Sequence, residues 1–169
     1  GVTIEEGKTF DDLLAYYQIA RKTAERLKIS LPSFRVIESL WRTFSRSGNI
    51  KLFLAKSGTQ LIAGDLVVRW QDKMWGWLGA SLAEYWDFNA NLLIRWCIME
   101  WGTKNQVKTY DLMGIPCAKD KNHPKYGLYL FKTQFGGKIV RHGEYVKHYS
   151  PLKLFLLSKI LVPIHGRLF

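Results

Sequence analysis

At 169 residues, with 47% hydrophobic and 23% charged side chains, the chain has the size and composition of one globular domain with a single core, which excludes a disordered or low-complexity scaffold. Twenty-five Lys and Arg against 14 Asp and Glu leave a formal charge of +11, a field that attracts polyanions: nucleic acid, anionic lipid or a pyrophosphate-bearing substrate. Cys97 and Cys117 stand without CxxC spacing and without a histidine at zinc-ligand distance, so neither a disulfide framework nor a metal site is expected.

The opening GVTIEEGKTF has no basic stretch leading into an apolar core, so no secretory signal is read in it. Thr9 followed by Asp12 has the form of a capping box, and Phe10, Leu13, Leu14, Tyr17, Ala20, Ala24 and Leu27 then recur at helical spacing. Ser33 after Pro32 caps a second predicted helix, with Phe34, Ile37, Leu40, Trp41 and Phe44 as its apolar face and Gly48 as its stop. The two are expected to form a helical hairpin. KLFLA, LIAGDLVVRW and MWGWLGA follow, separated by KSGTQ and QDK, and predict an antiparallel meander.

ANLLIRWCIMEWGTK is apolar on more than one face, the pattern of a helix buried between a sheet and other elements. TYDLMGI predicts a short strand, HPKYGLYLFKTQFGG a helix ended by Gly136 and Gly137, and KIVRHGEYVKHY a final strand. Residues 1–150 form the expected domain, leaving a basic, apolar segment at 151–169. Lys153, Lys159 and Pro163 keep that segment short of the roughly 18 apolar residues that a spanning helix needs. It reads either as a helix docked on the core or as an amphipathic segment on a membrane face.

The order αα, βββ, α, β, α, β points to an α/β (α+β) domain with a mixed central sheet and helices on both faces. It matches a GNAT-like acyltransferase fold, in which the sheet splits and the acyl donor enters the opening.

The most specific segments are YDLMGIP, Tyr110 to Pro116, and GLYLFKTQFGG, Gly127 to Gly137. Together they resemble the paired signature of the Fem (FemABX) family of peptidoglycan-bridge aminoacyltransferases: a Tyr-Asp-x-x-Gly strand, then a helix carrying Phe-Lys and ending at Phe-Gly. ARKTAERLKI, with Thr23 and Arg26, resembles the first-helix pattern of that family, and WLGASLAEYWDFNANLLIRWCIMEWGTK its strand-to-helix segment. The match corresponds to the C-terminal, GNAT-like domain of such proteins and departs from them after Arg26, where Leu27 and Lys28 replace Asp-Gly. The resemblance implies transfer of an amino acid from aminoacyl-tRNA to the stem peptide of a lipid-linked or nucleotide-linked peptidoglycan precursor. It also implies an N-terminal domain of the same protein, action in the cytoplasm at the inner face of the plasma membrane with peripheral membrane contact, and no cofactor.

Lys132 lies four residues after Leu128 and three before Phe135, near the apolar stripe of its helix. With the Phe-Lys match, the resemblance implies a cation that contacts a donor phosphate or stabilises the oxyanion formed when an amine attacks the aminoacyl ester; without that match it reads as a solvated helix lysine. Phe131 is either core or a platform for the terminal adenosine of the donor. Arg26 suits an acceptor phosphate, or a helix-surface ion pair with a nearby Glu. Asp111, expected in an apolar strand, reads as a structural hydrogen-bond acceptor or as a base that orients the amine. Tyr85, Asn89 and Asn91 are candidate acceptor contacts where strand gives way to helix. His123, His142, His148 and His165 form no catalytic constellation.

Two rivals remain open. A GNAT-type N-acyltransferase using acyl-CoA cradles its pyrophosphate on a Gly-rich loop before a helix, whereas SLAEYWDFNANLL contains no Gly. A non-catalytic half-domain that binds tRNA or membrane accounts for the interleaved aromatics and lysines of KYGLYLFKTQF.

Overall fold

The structure, a computed structural model, describes residues 1–141, 143 and 150. The chain divides into two compact units, Gly1–Lys132 and Thr133–Phe169. The first unit carries a five-stranded sheet in the order β1-β2-β3-β4-β5. Its strands are β1 Val2–Gly7, β2 Ile50–Ser57, β3 Gln60–Trp70, β4 Lys73–Ser81 and β5 Thr109–Asp111. β1 to β4 are antiparallel neighbours, and β5 runs parallel to β4. The mixed sheet and the meander are as expected from the sequence. β1 is an addition: VTIEEG is short, half exposed and carries two Glu, so its pattern does not stand out as a strand.

Two helices, α1 Phe10–Leu27 and α2 Phe34–Phe44, separate β1 from β2. The capping box forms as read: the Thr9 hydroxyl accepts from the Asp12 amide at 3.1 Å, and the Asp12 carboxylate accepts from the Thr9 amide at 2.9 Å. Ser33 occupies the cap position of α2 but makes no side-chain capping bond. Phe34 joins the two helices, with its ring 5.8 Å from Phe10 and 5.0 Å from Tyr17.

Alternation along the strands divides the core. Leu52, Leu54 and Leu66 point to one face, where Leu13, Tyr16, Ile37 and Trp41 of α1 and α2 cover them. Phe53, Ala55, Val67 and Met74 point to the other face, under Ile94 and Ile98 of α3 Ala90–Lys104. The outer side of α3 differs from expectation: Leu93 and Trp96 are exposed, Trp96 by 58%. The apolar character of this helix therefore exceeds what the sheet buries.

A 3-10 helix, Ala83–Phe88, links β4 to α3. The last described helix, α4 Tyr126–Thr133, is shorter than the predicted 123–137, and Gly136 follows it at φ 71°, a left-handed conformation that suits glycine. Of the predicted final strand, residues 138–141 have no regular structure. Most of the remainder lies outside the described residues, as do His142, His148, His165 and the whole 151–169 segment. Among the described residues no helix is long and apolar enough to cross a membrane.

Candidate active site

β4 and β5 pair only at Lys73–Thr109, Met74–Tyr110 and Trp75–Asp111. Beyond Trp75 the two parallel strands part company. On its other side β4 bulges: Leu66 pairs with Leu78 but Val67 with Gly76, leaving Trp77 without an opposite residue. Three side chains of α1 bind carbonyls of β4 beyond its pairing with β5. Tyr16 donates its hydroxyl to the Leu78 carbonyl, and Thr23 and Arg26 donate to the Ser81 carbonyl at 3.0 and 3.2 Å.

At the fork sits a buried polar cluster. The Arg95 guanidinium, reaching from α3, contacts the Asp65 carboxylate of β3 at 2.9 Å and donates to the Tyr110 hydroxyl of β5. Gly76 and Gly79 make room for it: a Cβ on Gly76 would lie 1.8 Å from Arg95 Nη1, and one on Gly79 3.2 Å from Nη2. Asp65 is 2% exposed, and its Oδ1 has no hydrogen-bond partner among the described residues. Burial pushes its carboxyl up to about 6 despite the opposing pull of Arg95 and Lys132. Burial also works against the charge of Arg95, but Asp65 and Tyr110 outweigh it and hold the guanidinium proton above its usual range. The Tyr110 hydroxyl is raised by burial and by Asp65.

Lys132, near the end of α4, closes this arrangement. Its ammonium donates to the Leu112 and Gly114 carbonyls, each at 2.6 Å, so two of its three donors are fixed by the segment leaving β5. Burial and then the nearby Arg95 lower its proton affinity, while Asp111 and Asp65 act in the opposite sense. It is not a freely solvated lysine. Phe131 beside it is half buried.

Asp111 is corrected by the structure: it is exposed rather than buried, because it closes β5 at the surface. Its Oδ1 accepts from the Met113 amide at 2.7 Å, which shapes the turn where Met113 takes φ 64° and the carbonyls for Lys132 are presented. Among the described residues it is Arg21, not Arg26, that pairs with Glu25, at 3.8 Å. The Arg26 guanidinium instead lies 4.7 Å over the Trp86 ring, besides its bond to Ser81. Asn91 donates to the Ser81 hydroxyl at 3.0 Å, so Arg26 and Asn91 meet at one residue. Tyr85 packs against Phe88 at 5.9 Å, and Asn89 takes φ 52° at the start of α3, donating to the Asp87 carbonyl. These residues shape the β4–α3 connection and lie apart from the hydrogen bonds that hold Lys132.

Asp65, Arg95 and the two glycines do not stand out as site residues in the sequence. A carboxylate inside LIAGDLVV, an arginine beside Ile94 on an apolar helix, and glycines three apart in a strand are the available signals. An apolar cleft of about 390 Å³ opens by Met113 and the bulged Trp77, lined also by Leu40, Phe44, Trp70 and Trp75. Among the described residues no cluster of His, Cys, Asp or Glu could hold a metal ion.

The family model described as acetyltransferase (GNAT) domain matches residues 1–125. A lipid II:glycine glycyltransferase of Staphylococcus haemolyticus is 28% identical over 117 residues, 69% of this chain and 27% of that protein. Among solved structures, FemX superposes with a TM-score of 0.70 at 18% identity over 80% of this chain and 50% of its own. An aminoglycoside acetyltransferase from an uncultured soil metagenomic sample, in complex with sisomicin, gives 0.63 at 14% identity over 87% and 97%. The chain thus spans about a quarter of the glycyltransferase and half of FemX.

Proposed function

The chain belongs to the acetyltransferase (GNAT) domain family, and from that premise we propose that this acyltransferase domain moves an amino acid from aminoacyl-tRNA onto the stem-peptide amine of a peptidoglycan precursor. The observation that carries the reading is Lys132, held by the Leu112 and Gly114 carbonyls beside the β4–β5 fork. The FKTQF context of that lysine and the distant similarity to the lipid II glycyltransferase and FemX support it.

In this reaction the acceptor nitrogen attacks the ester carbonyl, a C–N bond forms and the bond to the ribose oxygen breaks. The proton lost by nitrogen ends on the departing oxygen. Negative charge builds on the carbonyl oxygen between these events, and the third donor of Lys132 is the group assigned to it. Because two donors are already engaged, the ammonium needs no reorientation when that charge appears. The donor is taken to be RNA, because of the +11 charge. The acceptor is lipid-linked or nucleotide-linked, and the reaction is placed at the inner membrane face, with the rest of a longer Fem-type protein supplying further acceptor contacts. Arg26, Asn91, Tyr85 and Asn89 serve by holding the β4–α3 connection, and Asp111 by setting the turn that presents the Leu112 and Gly114 carbonyls.

A second reading, acyl transfer from acyl-CoA, draws on the family model itself. Against it, Tyr85, Trp86 and Phe88 occupy the connection where a pyrophosphate would need bare backbone. One experiment separates the readings: incubation of the protein, joined to the remainder of a Fem-type chain, with a panel of charged tRNAs, with acyl-CoA, and with lipid-linked precursor. Amide formation from charged tRNA supports the proposal; transfer from acyl-CoA alone replaces it with the second reading; RNA binding without turnover leaves the non-catalytic module.

A further inference from the structure

Arg95 has no role in the reading above, yet it is the buried centre of a polar path across four elements. Asp65 of β3 meets Arg95 of α3 at 2.9 Å, Arg95 meets Tyr110 of β5, and the same strand leads two residues on to the Leu112 carbonyl that binds Lys132 of α4 at 2.6 Å. We propose that Arg95 is the positioning residue of this site: its guanidinium, wedged where β4 and β5 separate, anchors β5 through Tyr110 and so fixes the carbonyls that orient Lys132. This rests on Lys132 being the reacting-site cation, but the geometric link stands independently of the substrate.

Three features carry the inference. β5 has only three paired residues, so its position depends on side-chain contacts, and Tyr110 is the middle one of the three. Gly76 and Gly79 leave a slot that any Cβ would fill, and Arg95 occupies it. Asp65, buried beneath, balances the guanidinium in a place where an unpaired charge would be costly. The charged and titratable groups acting on Lys132 are Arg95 from α3, Asp65 from β3 and Asp111 from β5; those acting on Asp65 are Arg95 and Lys132. Removing the Arg95 cation, or letting β5 drift, therefore lets the Lys132 ammonium relax toward ordinary lysine behaviour.

The test is a side-chain NMR titration of Lys132, its resonance assigned by its loss in Lys132→Arg, in the wild type and in the variants Tyr110→Phe and Arg95→Gln. Tyr110→Phe keeps the Asp65–Arg95 pair and so retains the fold. The Lys132 midpoint is expected to rise in both variants, toward the ordinary lysine range. In the transfer assay Tyr110→Phe is expected to lower kcat while leaving KM for the donor nearly unchanged. If Arg95→Gln does not fold, Tyr110→Phe decides. An unmoved Lys132 midpoint in folded Tyr110→Phe overturns the proposal. A moved midpoint in a protein that transfers nothing from any charged tRNA upholds the positioning role and removes the aminoacyl-transfer reading instead.

Discussion

Thr23 binds the backbone of Ser81 twice: its hydroxyl donates to the Ser81 carbonyl at 3.0 Å and accepts from the Ser81 amide at 3.1 Å. Both residues are buried, so no water replaces either bond if the hydroxyl is removed. Thr23→Val keeps the shape and leaves the amide unpaired, and is expected to cost about 1–3 kcal/mol. Urea denaturation checks this through a lower midpoint at unchanged slope. A midpoint equal to wild type would mean that the end of β4 is held by Arg26 and Asn91 alone.

Gly76→Ala is expected to be more damaging than its size suggests. The added carbon would meet Arg95 Nη1 at 1.8 Å, and overpacking a core costs roughly 1–3 kcal/mol or more. Gly127→Ala is the control: in α4 nothing lies within 4 Å of the new carbon, so the helix should be neutral or slightly stabilised. Thermal melts of the two variants side by side give the comparison, and equal Tm values would remove the close approach at Gly76.

The Asp65 carboxyl makes a prediction in pH. Its folded pKa of about 6 lies above the ordinary value of 3.8, so the folded state binds the proton more tightly than the unfolded one. The stability it contributes is complete below about 4 and is lost as pH rises through about 6, a change of roughly 3 kcal/mol. Asp12 acts oppositely, because hydrogen bonds from Thr9 and Lys8 outweigh its burial and lower its pKa. The clean readout is therefore the unfolding free energy of the wild type minus that of Asp65→Asn, measured at about pH 4.5 and about pH 7. That difference should be more favourable to the wild type at the lower pH; a pH-independent difference would mean that Asp65 titrates normally.

For Lys132 the expectation concerns turnover. Lys132→Ala should lower kcat by roughly 10²–10³, as for other lost oxyanion contacts, with a small effect on donor binding. Lys132→Arg should restore part of it, since the longer, planar guanidinium places its charge and its donors differently from an ammonium that bonds both carbonyls at 2.6 Å. Because burial and Arg95 lower the Lys132 pKa, the alkaline limb of the rate profile should fall below the ordinary lysine range. Wild-type rates in both variants would take Lys132 out of the site.

Donor binding should weaken steeply with salt, with a log–log slope of about −3 corresponding to roughly three or four neutralised phosphates. Filter binding of charged tRNA at rising salt measures it, and a flat profile excludes an electrostatic RNA interface. Calorimetry with acetyl-CoA is the companion experiment: the aromatic β4–α3 connection predicts no binding, and micromolar affinity would favour the second reading.

The sequence was legible where local rules act. Thr9 with Asp12 announced the start of α1, and the KSGTQ and QDK turns marked the meander. β1 escaped because an edge strand with Glu5 and Glu6 has little periodic signal. At the site, Lys132 could be named from FKTQF, but its carbonyl partners lie 20 and 18 residues away in a turn whose shape depends on Asp111. Arg95, Asp65 and Tyr110 come from three elements, and only the assembled sheet shows that they touch. Spacing reports what a residue shares with its own helix or strand; it is silent on what crosses between them.

The short β4–β5 seam has a dynamic consequence. Three parallel pairs join strands whose residues lie 36 apart in the chain, whereas β3 is laddered along most of its length on both sides. Local opening takes the least free energy where the fewest bonds break together. Amide hydrogens of Tyr110 and Asp111 should therefore exchange with solvent well before those of Leu66 and Val67. The place where the sheet divides is thus also where it breathes most readily, and a substrate that bridges the two strands would register as slowed exchange at β5 before any product appears.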